Sequence, residues 1–279
     1  MTGPVHHSSA LLPWLLPLPG VTLDEVIERA ALQTRMDRKY LVTLPELAAV
    51  LGELAGTAAA LDIQGRRMFG YSSVYFDTED LQCFREHRQR RRRRFKVRIR
   101  SYVDSGDCVL EVKLDGPRGQ TVKHRLDYPP ADAGRLTEQG RDYVARALDG
   151  HPAGGRLRPV LSTDYRRATL LDRRAGSRVT VDVELRFSGP HGAVLAAPAS
   201  TIVVETKSPG RPGAADVALS RLGVRPVSVS KYCIGIALLH PAIPANPWHR
   251  VLRRHFDARI ERGPVVEAGG HPGAGQADL

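Results

Sequence analysis

Alternation of apolar and charged residues is the strongest pattern in this chain, and it predicts β-strands. In the segment from Arg94 to Tyr102, the apolar residues Phe95, Val97 and Ile99 alternate with Lys96, Arg98 and Arg100. Neighbouring side chains of a strand point to opposite faces, so this segment has one oily face and one basic face. Similar alternation recurs along the chain between turn sequences such as Asp104-Ser105-Gly106-Asp107 and Gly116-Pro117-Arg118-Gly119, which predicts a large antiparallel sheet.

The later strands repeat this division into two faces. The segment 110–114 alternates apolar residues with Glu111 and Lys113, and the segment 122–126 alternates them with Lys123 and Arg125. The segment 202–207 sets apolar residues against Glu205 and Lys207. The longest such segment is predicted to place Val179, Val181, Val183, Leu185 and Phe187 on one face and Arg178, Thr180, Asp182, Glu184 and Arg186 on the other.

Helical periodicity is confined to four shorter stretches, which we interpret as connectors and buttresses of the sheet. They cover residues 23–32, 45–54, 131–148 and 214–222. Residues 1–19 are expected to form an irregular N-terminal arm, and the Gly-, Pro- and Ala-rich residues 257–279 are expected to form a disordered tail. The folded domain is therefore predicted to run from residue 20 to residue 256.

The charged faces allow two arrangements. An antiparallel sheet often turns one polar face to water, which would explain any single strand. Here the charged faces combine many cations with carboxylates, and the helices would bury the apolar faces. Unpaired charges in a dry core would be very costly, so such faces need water or an anionic ligand between them. The pattern favours an α+β fold in which an antiparallel β-barrel tunnel has a charged interior and is flanked by helices.

Composition narrows the class of partner and compartment. The 279 residues include 42% hydrophobic residues, which excludes disorder throughout, and the net charge of +11 favours an anionic partner. The three cysteines are too few and too far apart for a disulfide framework, which favours a reducing cytoplasm. The apolar stretch from Leu11 to Leu18 is short and contains two prolines, so no transmembrane segment is expected.

Several short motifs in a fixed order resemble the VTC-type polyphosphate polymerase domain, a branch of the triphosphate tunnel metalloenzymes. Each motif is weak alone, and their order and spacing together are more specific. They span about residues 35–232 and read Arg35-Met36-Asp37-Arg38-Lys39-Tyr40, Tyr75-Phe76-Asp77-Thr78, Lys96-Val97-Arg98-Ile99-Arg100, Leu110-Glu111-Val112-Lys113, Thr121-Val122-Lys123-His124-Arg125, Tyr165-Arg166-Arg167, Arg178-Val179-Thr180-Val181-Asp182, Val204-Glu205-Thr206-Lys207 and Ser230-Lys231-Tyr232.

The resemblance implies a tunnel whose cations bind the triphosphate of ATP, or of another nucleoside triphosphate, and inorganic polyphosphate. The implied substrate-binding residues are Lys39, Arg98, Arg100, Lys113, Lys123, Arg125, Arg166, Arg178, Lys207 and Lys231. Lys39, Arg98, Arg100, Lys123, Arg166, Arg178 and Lys231 are also implied as catalytic. The guanidinium fork of Arg and the point charge of Lys both suit phosphate oxygens.

The resemblance also implies that Glu205 binds Mn²⁺ or Mg²⁺, since hard carboxylate oxygens suit these ions. Glu111, Asp37, Asp182 and Glu184 are weaker metal-ligand candidates, and each could instead form an ion pair across the tunnel. The implied reaction transfers the γ-phosphoryl group of the nucleotide to the end of a growing polyphosphate chain. Positioning and electrostatics would supply the rate, without a covalent intermediate.

Two departures from related patterns bear on this interpretation. Triphosphatase and cyclase relatives carry an ExExK strand, but the matching positions here are Arg35, Asp37 and Lys39, which favours the polymerase branch. Some polymerase-type members have a lysine where this chain has Ser228, which leaves that contact open. The alternatives are a triphosphatase of the same superfamily or a non-catalytic module that binds polyphosphate or nucleic acid.

The basic run from Arg88 to Arg94 allows two interpretations. It is either a solvated loop or strand extension, or an electrostatic funnel that guides nucleotide into the tunnel or polymer out of it. Aromatic residues do not interleave with it as they would in a stacking platform for single-stranded nucleic acid. Nucleic acid is therefore not the expected partner.

Overall fold

Long antiparallel strands dominate the computed structural model, which describes residues 7–30, 36–115, 121–149, 151, 156–256 and 261–262. The strands are β1 (Gly20–Val21), β2 (Met36–Val42), β3 (Ala58–Leu61), β4 (Phe69–Asp77), β5 (Phe95–Tyr102), β6 (Cys108–Asp115), β7 (Thr121–Asp127), β8 (Arg158–Asp172), β9 (Ser177–Ser188), β10 (Val194–Ala196), β11 (Ile202–Ser208) and β12 (Glu261–Arg262). The helices are α1 (His7–Leu15), α2 (Leu23–Ala30), α3 (Leu44–Leu54), α4 (Gln82–Arg88), α5 (Glu138–Ala147), α6 (Ala214–Arg221), α7 (Lys231–Leu239) and α8 (His249–His255).

Eight of the strands follow one another in the order β7-β6-β5-β4-β8-β9-β11-β2, and every neighbouring pair is antiparallel. Their register places charged residues opposite one another on one face, as in the pairs Arg98 with Glu111 and Glu205 with Lys39. Antiparallel partners on one face lie close enough for their side chains to interact. The sheet therefore carries a continuous charged face.

This charged face wraps around a central cavity. Each of the eight strands contributes at least one lining residue, and examples in strand order are Lys123, Glu111, Arg98, Tyr75, Arg167, Arg178, Glu205 and Lys39. The described parts of β2 and β7 do not pair with each other, so the sheet is not closed along this seam. The structure confirms the predicted α+β class and the antiparallel strands around a charged interior.

Helices cover the apolar faces of the strands. Phe95 and Val97 of β5 are buried in one cluster with Phe84 of α4 and Val144 of α5. A second cluster joins α1, α3 and α6 to the outer faces of β2, β8, β9 and β11. Burial of a large apolar side chain stabilises the fold by about 1.5–3 kcal/mol. Most of the hydrophobic core therefore lies outside the sheet and leaves the inner face, apart from one end of the cavity, to charged groups.

Helix α7 closes one end of the cavity. Tyr232 and Ile236 on this helix belong to the same buried cluster as the inward-facing Leu185 and Phe187 of β9. The Tyr232 hydroxyl donates to Asp77, a fully buried carboxylate that also accepts from two backbone amides of α4. A buried carboxylate needs such partners, so Asp77 links α7 to the end of β4.

The face prediction for the longest strand fails beyond Val183. Glu184 has a φ of 56°, and the register between β8 and β9 shifts by one residue at this point. A bulge of this kind reverses the side-chain directions that follow it. Leu185 and Phe187 consequently face the cavity, whereas the Glu184 carboxylate turns outward and accepts from the amide of Ser8 at 2.9 Å and its hydroxyl at 2.7 Å.

The N-terminal segment also differs from the predicted irregular arm. Residues His7–Leu15 form helix α1 despite Pro13, and Leu11 and Leu15 are buried against the outer face of the sheet. These two leucines are four residues apart, so they lie on one side of the helix and bury together. In the predicted tail, Glu261 and Arg262 pair with β10, and the other residues after Phe256 lie outside the described ranges. The turn at Gly116–Gly119 also lies outside them.

We expect Gly235→Ala to lower the free energy of unfolding by about 1–2 kcal/mol, because overpacking outweighs the gain in helix propensity. A Cβ at Gly235 of α7 would lie 2.7 Å from side-chain carbons of Leu161 and Phe187. Gly52→Ala in α3 is the control, since no atom lies within 4 Å of its added Cβ. This control should gain about 0.5–1 kcal/mol. Urea unfolding measures both, and equal effects would contradict the close packing of α7.

Candidate functional site

The central cavity has a volume of about 1740 Å³. Pockets for drug-sized ligands occupy about 300–1,000 Å³, so this cavity has room for a hydrated polyanion. Nine of the ten predicted substrate-binding residues line it, and they come from six strands and the first turn of α7. They are Lys39, Arg98, Arg100, Lys113, Lys123, Arg125, Arg178, Lys207 and Lys231.

Arg166 is the predicted site residue that the structure places elsewhere. Its guanidinium donates to the backbone carbonyl of Met68 at 3.3 Å, on the face of β8 that packs against the outer hydrophobic cluster. The next residue, Arg167, lines the cavity. Strand alternation allows only one of two successive arginines to face inward, and the motif Tyr165-Arg166-Arg167 does not show which one. Tyr165 also lines the cavity, which assigns the inward face to the odd-numbered residues here.

Glu111 is the centre of a buried ion cluster. Its carboxylate accepts from Arg98 Nε at 2.6 Å and from Arg125 Nη2 at 3.0 Å, and it also contacts the Lys123 ammonium. Burial alone raises the pKa of Glu111, but the charges of Arg98, Arg100 and Lys123 outweigh it and hold the pKa far below its usual range. This geometry matches the ion-pair alternative for Glu111, since the carboxylate is surrounded by cations.

Asp182 forms a second buried ion cluster. Its two oxygens accept from Arg167 Nε at 2.5 Å and Arg167 Nη2 at 2.8 Å, a bidentate pair, and one of them also contacts the Lys231 ammonium. Burial raises the pKa of Asp182, and the charges of Arg167 and Lys231 more than offset this, so the carboxyl stays ionised. Asp182 therefore positions these two cations.

Glu205 has a different surrounding. One carboxylate oxygen lies 2.5 Å from the Lys207 ammonium, and the same ammonium donates to Asp37 at 2.9 Å. Burial raises the pKa of Glu205, but the charges of Lys39, Lys207 and Arg167 hold it well below its usual range. Two carboxylates on neighbouring strands thus share one lysine. This pair of carboxylates therefore forms a site that stabilises a cation.

The carboxylates fit a metal that a substrate helps to hold. The described residues include no group of three or more His, Cys, Asp or Glu side chains arranged for a metal ion. Mg²⁺ is commonly held by one or two carboxylates together with phosphate oxygens and water. Glu205 and Asp37 meet this requirement because their oxygens approach the same ammonium. Their hard oxygens suit Mn²⁺ equally.

Tyrosines between the cations were not among the predicted site residues. Tyr71 and Tyr165 stack with ring centroids 5.4 Å apart, and the Arg167 guanidinium lies 5.1 Å from the Tyr71 centroid. The Tyr165 hydroxyl accepts from Arg100 at 3.0 Å. Rings and hydroxyls hold the guanidinium groups in position without neutralising their charge. Inward alternation of Tyr71, Ser73 and Tyr75 along β4 is the sequence signal that could have found them.

Two lysines in the cavity have lowered pKa values. Burial, with the charge of Lys96 beside it, lowers the pKa of Lys113 to about 8. Burial likewise lowers the pKa of Lys123 to about 7, although Glu111 acts in the opposite direction. A phosphate would favour the charged form of both groups. Anion binding at these lysines is therefore coupled to proton uptake.

Comparison with known proteins yields one family match and several distant structural similarities. A family model described as "VTC domain" matches residues 34–240, which is most of the chain. No curated protein matches the chain significantly. Among the helices of the described residues, none has the length and apolar character needed to cross a membrane.

The similar solved structures share little sequence identity with this chain. One is a protein of Hippeastrum, described as showing a dominant triphosphatase activity, with a TM-score of 0.45, 14% identity and coverage of 73% of this chain and 96% of that chain. Another is the PH1012 protein of Pyrococcus horikoshii OT3, with a TM-score of 0.35, 9% identity and coverage of 69% and 92%. A conserved hypothetical protein of Pyrococcus furiosus has a TM-score of 0.34, 12% identity and coverage of 69% and 92%.

We expect Arg167→Gln to weaken binding of inorganic tripolyphosphate about tenfold or more, since it removes one charge-assisted contact from the cavity. The neighbouring Arg166→Gln removes the same charge from the opposite face of β8 and should change the affinity less than about threefold. Isothermal titration calorimetry of both variants measures this difference. Equal losses would show that the charge acts only at long range and that the face assignment is wrong.

Glu111→Gln is expected to strengthen tripolyphosphate binding measured in a metal chelator, because it releases the charges of Arg98, Lys123 and Arg125. The same change should lower the free energy of unfolding by about 1–3 kcal/mol, since three neighbouring cations lose their common partner. Calorimetry and urea unfolding measure the two effects. A metal-dependent loss of affinity would instead identify Glu111 as a metal ligand.

Proposed function

Because this chain belongs to the VTC domain family, we propose that it is a metal-dependent polyphosphate polymerase that transfers the γ-phosphoryl group of a nucleoside triphosphate, most simply ATP, to inorganic polyphosphate. The observation that carries the proposal is the convergence of cations from seven strands and α7 on one cavity. Ten of them are Lys39, Arg98, Arg100, Lys113, Lys123, Arg125, Arg167, Arg178, Lys207 and Lys231. Substrate and product of such a reaction are both polyanions, which this lining suits.

Pre-positioned charge is the catalytic contribution that the cavity supports. Charge spreads over the transferred phosphoryl group in the transition state, and fixed cations stabilise it without reorganising. Arg98 is held by Glu111, and Arg167 is held bidentately by Asp182. Lys231 lies over the Tyr165 ring, 4.2 Å from its centroid. We assign these three cations to the contact with the reacting phosphates and treat their partner carboxylates as positioning residues.

Glu205 and Asp37 are the residues that would hold Mn²⁺ or Mg²⁺ in this proposal. A divalent ion there supplies a Lewis acid for phosphate oxygens. The Lys207 ammonium contacts both carboxylates, so a divalent ion would have to share the site with this ammonium. Glu111 and Asp182 are assigned to ion pairing, since each already contacts at least two cations.

A triphosphatase acting on the same cavity is the second candidate. The lining binds a triphosphate equally well whether the acceptor is water or another phosphate chain. The sequence of β2 favours the polymerase. Asp37 and Lys39 face inward on this strand, whereas the ExExK pattern of triphosphatases would require a second carboxylate. Arg35, at the matching position, lies outside the described residues. The location of the protein in the cytoplasm stays a prediction.

Incubation of the purified protein with ATP and Mn²⁺ separates the two candidates. Long polymer on a gel, with one nucleoside diphosphate released for each phosphate incorporated, is the expected result. Orthophosphate release without polymer would establish the triphosphatase. Binding of ATP and polyphosphate without any turnover would favour the non-catalytic module.

Glu205→Gln is expected to reduce metal-dependent turnover at least about a hundredfold, because it removes a hard anionic ligand from the proposed metal site. Tripolyphosphate binding in a chelator should be retained or strengthened, since a negative charge leaves the cavity. Product assays and calorimetry measure the two quantities. Glu184→Gln is the matched control, because Glu184 faces outward to Ser8, and its turnover should equal that of the wild type. Unchanged turnover in Glu205→Gln would refute the metal assignment.

A further inference from the structure

The segment Gln89–Arg94, here termed the arginine turn, joins α4 to β5 at the edge of the central cavity, which Arg90 and Arg94 line. Its backbone is anchored, since Arg91 N donates to the Glu86 carbonyl at 2.9 Å and Arg90 N donates to the His87 carbonyl at 3.2 Å. Arg94 Nε contacts Asp115 at 2.7 Å, and Arg94 Nη1 donates to the Arg91 carbonyl at 3.1 Å. The turn is therefore a built feature with fixed ends.

The side chains at the tip of the turn carry charge that other residues do not neutralise. Arg90, Arg92 and Arg93 are exposed, and none forms an ion pair with a described carboxylate. Arg91 donates to the amide oxygen of Gln89, a neutral partner. Four consecutive arginines held on one anchored turn produce a strong local positive potential.

These arginines line a groove of about 970 Å³, here termed the outer groove. Its lining includes the five arginines Arg85 and Arg90–Arg93, one carboxylate, Glu86, and the ring of His151. No aromatic Phe, Tyr or Trp side chain of the described residues lines it. The groove is suited to a polyanion held by charge and offers no surface for stacking bases.

Arg90 connects the outer groove to the central cavity because it lines both. Its φ is 55°, a left-handed conformation that strains a residue with a Cβ and that glycine adopts freely. The fold therefore tolerates a backbone strain of about 1 kcal/mol at Arg90, whose side chain lines both the central cavity and the outer groove. A chain of phosphates in the cavity could continue past Arg90 into the groove without leaving a positive surface.

We propose that the arginine turn and the outer groove bind the part of a polyphosphate chain that extends beyond the central cavity, and so favour long chains over short ones. This inference rests on the proposed function, because it takes the cavity as the site of the reacting end. Arg91, Arg92 and Arg93 contact only the extended part of the chain. A triphosphate bound in the cavity does not need them.

The test compares inorganic tripolyphosphate with long-chain inorganic polyphosphate on the triple variant Arg91→Gln/Arg92→Gln/Arg93→Gln. Affinity for the long chain is expected to fall about tenfold or more at moderate salt, and the slope of log K against log salt should decrease by about 2, since three contacts are lost. Affinity for tripolyphosphate should change less than about twofold.

The matched control is Arg250→Gln/Arg253→Gln/Arg254→Gln on α8. It removes the same charge from three exposed arginines that line neither the central cavity nor the outer groove. The control should retain the wild-type affinity for both ligands. An equal loss of long-chain affinity in both triple variants would overturn the proposal, because net charge alone would then explain it.

The remaining outcomes separate this inference from the proposed function. If tripolyphosphate binds the wild type but long-chain affinity is unchanged in the Arg91–Arg93 variant, the outer groove is refuted and the cavity stands. If tripolyphosphate fails to bind the wild type, the proposed function itself fails. A single-stranded oligonucleotide that competes more strongly than long polyphosphate, and loses this advantage in the variant, would assign the groove to nucleic acid and overturn the proposal.

Discussion

Pairing of inward-facing charges is the constraint on which the rest of this structure depends. Two unit charges 4 Å apart interact with about 4 kcal/mol at the effective dielectric constant near a protein surface, so unneutralised cations around one cavity would repel one another strongly. Glu111 and Asp182 relieve this repulsion, because each contacts cations from neighbouring elements. The helices outside the sheet then supply the apolar burial that the interior cannot.

The same pairing explains how the cavity stays both stable and attractive to anions. Glu111 and Asp182 are each shared by two or three cations, so the two clusters keep a net positive charge after pairing. The tyrosines add contacts that restrain guanidinium groups and leave their charge intact. A polyanion therefore meets cations that are already held in place, and little ordering is required of them.

Sequence alternation was sufficient to predict the charged interior, because it depends only on the period of the strand. It predicted the inward face of β5 and of most of β9 correctly. It failed where geometry departs from that period: the bulge at Glu184 reverses the faces, and the choice between Arg166 and Arg167 depends on the register of β8. The family resemblance is confirmed by the match to residues 34–240. The prediction that Arg166 lines the cavity came from this resemblance and was wrong, because a motif does not state which of two adjacent arginines faces inward.

Helix α7 could not be found from periodicity for a different physical reason. Its sequence after Lys231 is apolar almost all round, and such a run does not distinguish a buried helix from a buried strand. The helix is specified by tertiary packing, through Gly235 against β8 and β9 and through Tyr232 against Asp77. The Ser230 hydroxyl, which accepts from Cys233 N at 3.1 Å, was the local signal for its start.

The two carboxylate environments divide the cavity into one region with surplus positive charge and one with surplus negative charge. Around Glu111, three cations share one carboxylate, and the surplus is positive. Around Lys207, two carboxylates share one ammonium in direct contact. In the proposed function, a phosphate that draws this ammonium toward itself would remove its charge from Glu205 and Asp37, and a divalent ion would restore the balance. In the proposed function, binding of phosphate and binding of metal would therefore favour each other.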